Sequence, residues 1–543
     1  MTVLRQQSHR LIGVALRFCA KHRPQRQFTA FDPTTLLQIN RVPVLRDVFL
    51  AYTMLGIQVV SIKNLLPTAR LRPKVLVCAM LALLSVYASE AHARRIVLPS
   101  PATEADQAPY LAEASEMRAR DYNYGGGRNL MPAYGVVLSL VYADGLTKDE
   151  FLNRAQIFNV NMSIVLLLGL FVLLRNFFDN LYSFALLLPT AFAVFLHLAV
   201  FAQAEVMYYF IFFCSFLLFL KMLVKPTWFI AIGAGLLAGL AYLTKAAALP
   251  ALAIFSIVFA ASIFWKARGE HQTAKPTGMR QFALLALLLA SFFAAIFPYI
   301  QANKKIYGAY FYNVNSFFYA WCDSWPEAET LTKAHGDRTG WPQMPAEQIP
   351  SPGKYWREHT VAHIAGRLFG GTARVLMHGF GLIGYYKYVA IFSVTAAVLV
   401  LRDRSHFLEV VRPLAFPAIF SAALFSIYLL MFGWWEPISN ASRYPLSLFL
   451  PAMFVSSQLI VRLGKTGHIA LGGKRQTFLT VFAIAIICLS VFDVVVEGAR
   501  LYNAEAQARR LRENRVVFLT AGSYSDWGRP IDSDPRLDTI PLL

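Results

Sequence analysis

Charge is scarce in this sequence, and negative charge is scarcer still. Only 15% of its 543 residues are charged while 57% are hydrophobic, and 31 Asp and Glu stand beside 51 Lys and Arg. Soluble domains carry nearer a quarter charged residues, so an ordinary water-soluble globule is excluded and a membrane protein is expected. The formal charge of +20 does not point to nucleic acid. The basic residues sit in short segments beside apolar runs, as the inner-face loops of membrane proteins do. Cysteine is nearly missing too: Cys19, Cys78, Cys214, Cys322 and Cys488 lie far apart with no CxxC pair, which excludes a zinc knuckle or a disulfide framework. Internal repeats and low-complexity tracts are lacking. The Arg-rich first thirty residues have no apolar core followed by a cleavage site, so they read as a cytoplasmic basic tail, with an organelle presequence as the other reading.

Long apolar runs are what the chain has in abundance. Eleven stretches are long enough to cross a bilayer: 75–90, 158–176, 182–200, 204–222, 227–244, 247–265, 281–299, 384–401, 413–433, 445–463 and 477–496. The shorter run 48–62, between Arg46 and Lys63, reads as an interfacial helix. Residues 1–74 hold twelve Lys and Arg against two acids, which places the N-terminus inside. Alternation then puts every clearly basic loop inside, including WKARGEHQTAKPTGMR, RDRSHFLEVVR and RLGKTGHIALGGKR. The outer segments are 91–157, 300–383, the turn GWWEPISNASRY and the tail 497–543. The expected architecture is an all-α polytopic membrane protein. It has a basic tail with an interfacial helix (1–74), a transmembrane domain of about eleven helices (75–496) with helical outer-face loops, and a small outer tail (497–543).

The first outer loop concentrates chemistry. It begins EADQAPY, continues as a helix from about Pro109 to Arg120, then reads YGGGRN and MPAYGVVLSLVY, the last too short to span comfortably. Asp106, just after the first span, can serve as a general base for a nearby hydroxyl, or as a plain helix cap beside Glu104. Glu205, in FAQAEVMYYF, enters the bilayer at the outer end of a span and is a functional candidate for that reason. Its other reading is an interfacial acid that never leaves water. Lys245 is the one charge in GAGLLAGLAYLTKAAALPALAIF, where Gly233, Gly235 and Gly239 allow close helix packing below it. It can snorkel, or hold a phosphate as a point charge. Arg443, followed by Tyr444-Pro445, occupies the same outer level.

In the second loop, His359 and His363 of REHTVAH could face a divalent ion, but the sequence offers no third ligand. Interfacial histidines are the favoured reading. The loop's many aromatics read mainly as an interfacial belt. Two acids and two cations at one membrane level suit transfer of a group from a lipid-linked phosphate donor. The departing phosphate needs cations and the acceptor needs a base. One displacement would invert the anomeric centre, whereas retention would need a carboxylate nucleophile.

These features resemble the integral-membrane GT-C glycosyltransferases, which include the protein O-mannosyltransferases and the lipid A aminoarabinose transferases. The resemblance rests on the early acid of the first outer loop, MPAY before the second span, Glu205, GLLAGLAYLTK and the late RY, and it covers most of residues 75–465. It implies a GT-C fold in the cell inner membrane with the active site on the periplasmic face. The donor would be a polyprenyl-phosphate sugar and the acceptor a lipid, glycan or protein. Asp106 would be the base, Lys245 and Arg443 would bind the donor phosphate, and Glu205, Tyr110, Arg128 and Tyr444 would line the substrate site. The family's Asp-Glu reads Asp106-Gln107 here, so a base-only role fits better than a metal-assisted one; no cofactor is certain, and a divalent metal ion stays open. YGGGRN would be the hinge of a cap that excludes water. The main alternative is a lipid-linked-glycan flippase or other secondary transporter, which would place ionisable groups near the midplane and show duplicated halves. A scaffold, or a polymerase or ligase with its large loop late in the chain, fits less well.

Overall fold

The structure is a computed structural model. It describes residues 73–97, 106–122, 130–269, 275–335, 345, 347–381, 385–439, 444–465, 467–471 and 474–513. The basic N-terminal tail, the expected interfacial helix 48–62, Glu104, Arg128, Arg443 and residues 514–543 lie outside these.

The chain is a helical, multi-pass membrane protein. Its principal helices are α1 (Pro73–Val97), α2 (Gln107–Ala119), α3 (Pro132–Leu138), α4 (Lys148–Leu174), α5 (Asn180–Ala199), α6 (Glu205–Val224), α7 (Trp228–Thr244), α8 (Leu249–Gly269) and α9 (Lys275–Tyr307). They continue with α10 (Trp325–His335), α11 (Pro352–Glu358), α12 (Val361–Ala365), α13 (Gly371–Gly381), α14 (Tyr385–Arg402), α15 (Arg404–Val411), α16 (Ala415–Trp435), α17 (Phe449–Gly464) and α18 (Phe478–Glu513). Among the described residues, nine helices are long and apolar enough to cross a bilayer, and each falls on one of the eleven expected stretches. The other two expected stretches are also helical but fall short. Helix α7 has 17 residues, about 25 Å at 1.5 Å per residue against a hydrocarbon core of about 30 Å. Helix α14 is bounded by Lys387 and Arg402, so its uncharged stretch is shorter still.

The chain divides into two compact units. The smaller includes residues 73–86, 179–182 and 468–513. Within the basic loop GHIALGGKRQT it forms an antiparallel hairpin, β1 (His468–Leu471) on β2 (Lys474–Thr477), with His468 opposite Thr477. Tyr182 stacks on Phe482 at 6.2 Å. Helix α18 runs on to Glu513, so the first part of the expected outer tail is helical; AEAQARRLRE is built almost wholly of good helix formers.

The larger unit includes residues 87–178 and 183–467. Helix α4 starts ten residues before the expected span because Thr147 and Glu150 form a reciprocal cap. Glu150 donates its N–H to the Thr147 hydroxyl (3.3 Å), and its carboxylate accepts from the Thr147 N–H (2.9 Å). At 27 residues it is about 40 Å long and outruns the bilayer core. Helix α9 ends at Gly308, which takes φ +75 and donates its N–H to the Lys304 carbonyl, as a left-handed C-terminal glycine does. Phe219, Phe255 and Phe420 form the aromatic centre, with Phe219 stacked on Phe255 at 4.4 Å. In lipid such van der Waals packing, rather than expulsion from water, drives helix association.

Two small-residue seams let helices approach closely. A Cβ at Gly235 would collide with the Leu288 carbonyl, and one at Gly239 would lie 2.7 Å from the Ala295 Cβ, so both glycines sit on the α7–α9 interface. Gly233 faces elsewhere, toward Leu218. Gly371 and Gly433 make a second seam between α13 and α16. Gly235→Ala is expected to destabilise the folded protein by about 1–3 kcal/mol, while Gly233→Ala leaves it nearly unchanged. Thermal unfolding of the two variants in detergent compares them directly.

Candidate functional site

The antiparallel turn from α6 to α7 brings the first residue of one helix beside the residue that ends the other. Lys245 breaks α7 by adopting an extended conformation. Its ammonium donates to Glu205 Oε1 at 2.6 Å, with side-chain exposures of 21% for Lys245 and 2% for Glu205. Each charge also suits its helix end, the acid at an N-terminus and the cation at a C-terminus. Glu205 is therefore no water-bound interfacial acid, and the Lys245 side chain turns to Glu205. The ammonium lies 5.5 Å from the centre of the Tyr444 ring, close enough for a cation–π attraction. Tyr444 stacks on Phe432 of α16 at 6.4 Å, and the Tyr428 hydroxyl of the same helix donates to the Ala247 carbonyl at 2.5 Å.

The start of α2 is anchored at the same end. Gln107 is fully buried, and its Oε1 accepts from the Ala202 N–H (2.8 Å) and the Gln156 amide (3.0 Å). Ala202 is three residues from Glu205. The Gln107 amide thus pins the first loop to the turn before α6. Tyr110 packs edge-on against Tyr134, centroids 5.0 Å apart. The Tyr134 hydroxyl donates to Asn159 Oδ1 at 3.3 Å and lies within electrostatic reach of Glu205. Asn159 in turn donates to the Ala199 and Phe201 carbonyls, fixing the chain that leads into α6.

Asp106 stands at the N-cap position of α2, exposed, and its side chain makes no capping bond. Its φ is +63, a left-handed conformation that Asp and Asn tolerate better than other non-glycine residues. A cap would have taken the extended conformation, so the plain capping role weighed from the sequence is not the one adopted. Asp106, Tyr110, Glu205, Lys245 and Tyr444 accordingly belong to one end of this unit.

The sequence reading missed Glu113. It lies two helical turns beyond Asp106, and both carboxylate oxygens are buried with no hydrogen-bond partner. Burial, reinforced by nearby Glu116, pushes its carboxyl up to about 8. The room for it is made by Gly135, where a Cβ would lie 2.8 Å from the Glu113 carboxyl carbon. MPAYG gave the only sequence signal, a glycine inside an otherwise helical apolar run.

A second polar cluster forms in the other long loop. Asp323 accepts from the Tyr355 hydroxyl (2.9 Å) through Oδ1 and faces His359 Nε2 (2.8 Å) through Oδ2. Arg367 lies 3.6 Å from Asp323 Oδ1. Its guanidinium sits over the Tyr355 and Trp434 rings and donates to the Trp434 and Ala320 carbonyls. His359 and His363 do not share one helix. The chain breaks at His359, and Thr360 caps α12. Their rings nevertheless stack at 4.5 Å, and Asp323 stands as the third candidate ligand that sequence spacing did not reveal. Burial opposes ionisation of Asp323, but the bonds from His359 and Tyr355 outweigh it and hold its carboxyl below the usual range. Burial likewise disfavours the charged form of His359, but Asp323 and the Tyr355 carbonyl outweigh it and raise its imidazole. Neighbouring Cys322 is buried, and burial pushes its thiol up to about 12, which makes it a poor nucleophile.

Two outcomes follow. Lys245→Met leaves Glu205 buried without its cation and is expected to cost about 3 kcal/mol; Glu205→Gln/Lys245→Met recovers most of that loss. Thermal unfolding of the two single variants and the double variant measures the coupling. For Glu113, folding raises the carboxyl pKa, so the stability it lends α2 is complete below about pH 4.5. That stability falls as pH rises and is lost above about pH 8. Amide exchange across residues 107–119 should therefore quicken over that interval beyond its intrinsic rate, and Glu113→Gln should abolish the extra dependence.

No protein-family model, curated protein or solved structure matches this chain.

Proposed function

We propose that the protein is a GT-C-type membrane glycosyltransferase, with about eleven spans. It would move a sugar from a polyprenyl-phosphate donor to an acceptor at the extracytoplasmic face of a cell inner membrane. The observation that carries this reading is the buried Glu205–Lys245 pair at the end where Gln107 ties down the start of α2. A cation that ends an apolar helix is suited to a lipid phosphate, and the exposed Asp106 carboxylate belongs to the loop that Gln107 anchors.

In this scheme Lys245, with Tyr444 beside it and Arg443 next to that in sequence, receives the donor phosphate. Glu205 keeps the ammonium oriented while no phosphate is bound. Asp106 accepts the proton of the acceptor hydroxyl as its oxygen attacks the anomeric carbon. The bond from that carbon to the phosphate oxygen breaks, and the polyprenyl phosphate leaves with the electron pair, so one displacement inverts the centre. By the same reading Tyr110 and Arg128 are substrate-binding residues. The acceptor class (lipid, glycan or protein) is set by the loops rather than by this step. The secondary-transporter alternative would use the same anionic-lipid contacts without bond cleavage.

Asp106→Asn tests the base directly, because Asn keeps the size and tolerates the left-handed conformation, whereas Ala would add strain. With purified protein and polyprenyl-phosphate sugars, transfer is expected to fall at least about 100-fold. Donor binding and unfolding temperature should stay near those of the wild type. Near-normal turnover in this variant would remove Asp106 as the base. Lipid translocation without glycosidic cleavage would favour the transporter.

A further inference from the structure

We propose that Asp323, His359 and His363 form a zinc site in the second long loop, with two imidazole nitrogens, one carboxylate oxygen and an open fourth position. The proposal is independent of the glycosyl-transfer reading and would stand if that reading failed.

Donor geometry comes first. One ligand atom from each residue lies within 4.8 Å of the others. Tetrahedral zinc with bonds of about 2.0–2.1 Å sets ligand atoms about 3.3 Å apart. The 2.8 Å separation of His359 Nε2 and Asp323 Oδ2 must open by about half an ångström, and the widest donor pair, within 4.8 Å, must close by up to about 1.5 Å. Both are side-chain rotations. His363 is exposed and Asp323 is 45% exposed, so an ion can enter from water, while the His363 ring must leave its stack on His359.

The surrounding atoms already orient these donors as the outer partners of metal ligands do. His359 Nδ1 faces the Tyr355 carbonyl at 3.0 Å, which can only accept, so Nδ1 carries the proton and Nε2 is the nitrogen turned to Asp323. The Tyr355 hydroxyl and Arg367 engage Asp323 Oδ1 and leave Oδ2 on the histidine side. Nε2 and Oδ2 face each other, and only a proton or a cation between them makes that approach favourable. Arg367 adds a positive charge that disfavours a metal. The Glu327 carboxylate, accepting from the Asp323 N–H at 2.7 Å, supplies compensating negative charge.

The donor set selects the ion class. Two imidazoles with one carboxylate suit zinc and its first-row neighbours, whereas magnesium and calcium take oxygen ligands. A bound ion would clip residue 323 to residues 359 and 363 across a long stretch of the loop. Its open position would admit water or a ligand oxygen.

The full-length protein in detergent, stripped with chelator and then equilibrated with zinc chloride, tests this by the metal retained after desalting. About one zinc per chain is expected in the wild type and in His406→Gln, a histidine elsewhere in the chain. His359→Gln and His363→Gln should each weaken binding at least about tenfold. His363 contributes only its exposed ring, since its backbone N–H is held by Thr360, so His363→Gln keeps the fold; an unchanged elution volume verifies that. Wild-type protein retaining no zinc, or His363→Gln retaining it as tightly as wild type, would overturn the site.

Discussion

The Glu205–Lys245 pair governs how this end of the protein is built. Two opposite charges with 2% and 21% exposure can share an apolar edge only while they touch. Either alone would be strongly destabilised by desolvation. Holding them together requires that α6 begin and α7 end at one level, and the surrounding structure enforces that. Gly235 and Gly239 draw α7 onto α9. Asn159 holds the carbonyls leading into α6, and Tyr428 holds Ala247 just beyond Lys245. The Asn159 and Tyr428 bonds are polar and meet backbone carbonyls next to helix ends, where such groups lack helical partners.

Much of this was legible in the sequence, because bilayer thickness converts hydrophobic run length directly into helix position. All eleven expected stretches are helical. The difference in span count arises at α7 and α14, where two or three residues, or two terminal lysine and arginine charges, decide whether a helix is long and apolar enough. Likewise the level of Glu205 and Lys245 was readable, since both end apolar runs. Their contact was not, because 40 residues separate them and only the hairpin geometry joins them.

Residues that sequence reading missed share one feature: their chemistry depends on a partner far along the chain. Glu113 is an ordinary surface acid by helical pattern until Gly135, across the first loop, gives its carboxyl a place inside. Gln107 looks like an ordinary amide at a helix start until Ala202 and Gln156 are seen to bond its oxygen. Asp323 lies 36 residues from His359, and no ligand spacing rule spans that distance. Local pattern fixed where helices begin, as the Thr147–Glu150 cap shows, but not which carboxylates would be removed from water.

The state of the carboxylates around the start of α2 narrows the chemistry available there. Glu113, without a cation or a hydrogen-bond donor, is held neutral near pH 7 by its burial. Glu205 is neutralised by Lys245. Asp106 differs from both: it is exposed, and its backbone holds a left-handed conformation that most residues avoid. Gln107, the next residue, is anchored to Ala202 and Gln156 and so fixes the helix start on which Asp106 stands. The same reasoning separates the two loops. The first surrounds an internally neutralised ion pair at the edge of the slab, whereas the second gathers exposed donors around Asp323, where a cation can arrive from water. The two proposed roles, contact with an anionic lipid headgroup and capture of a metal ion, therefore call on different residues, and neither requires the other.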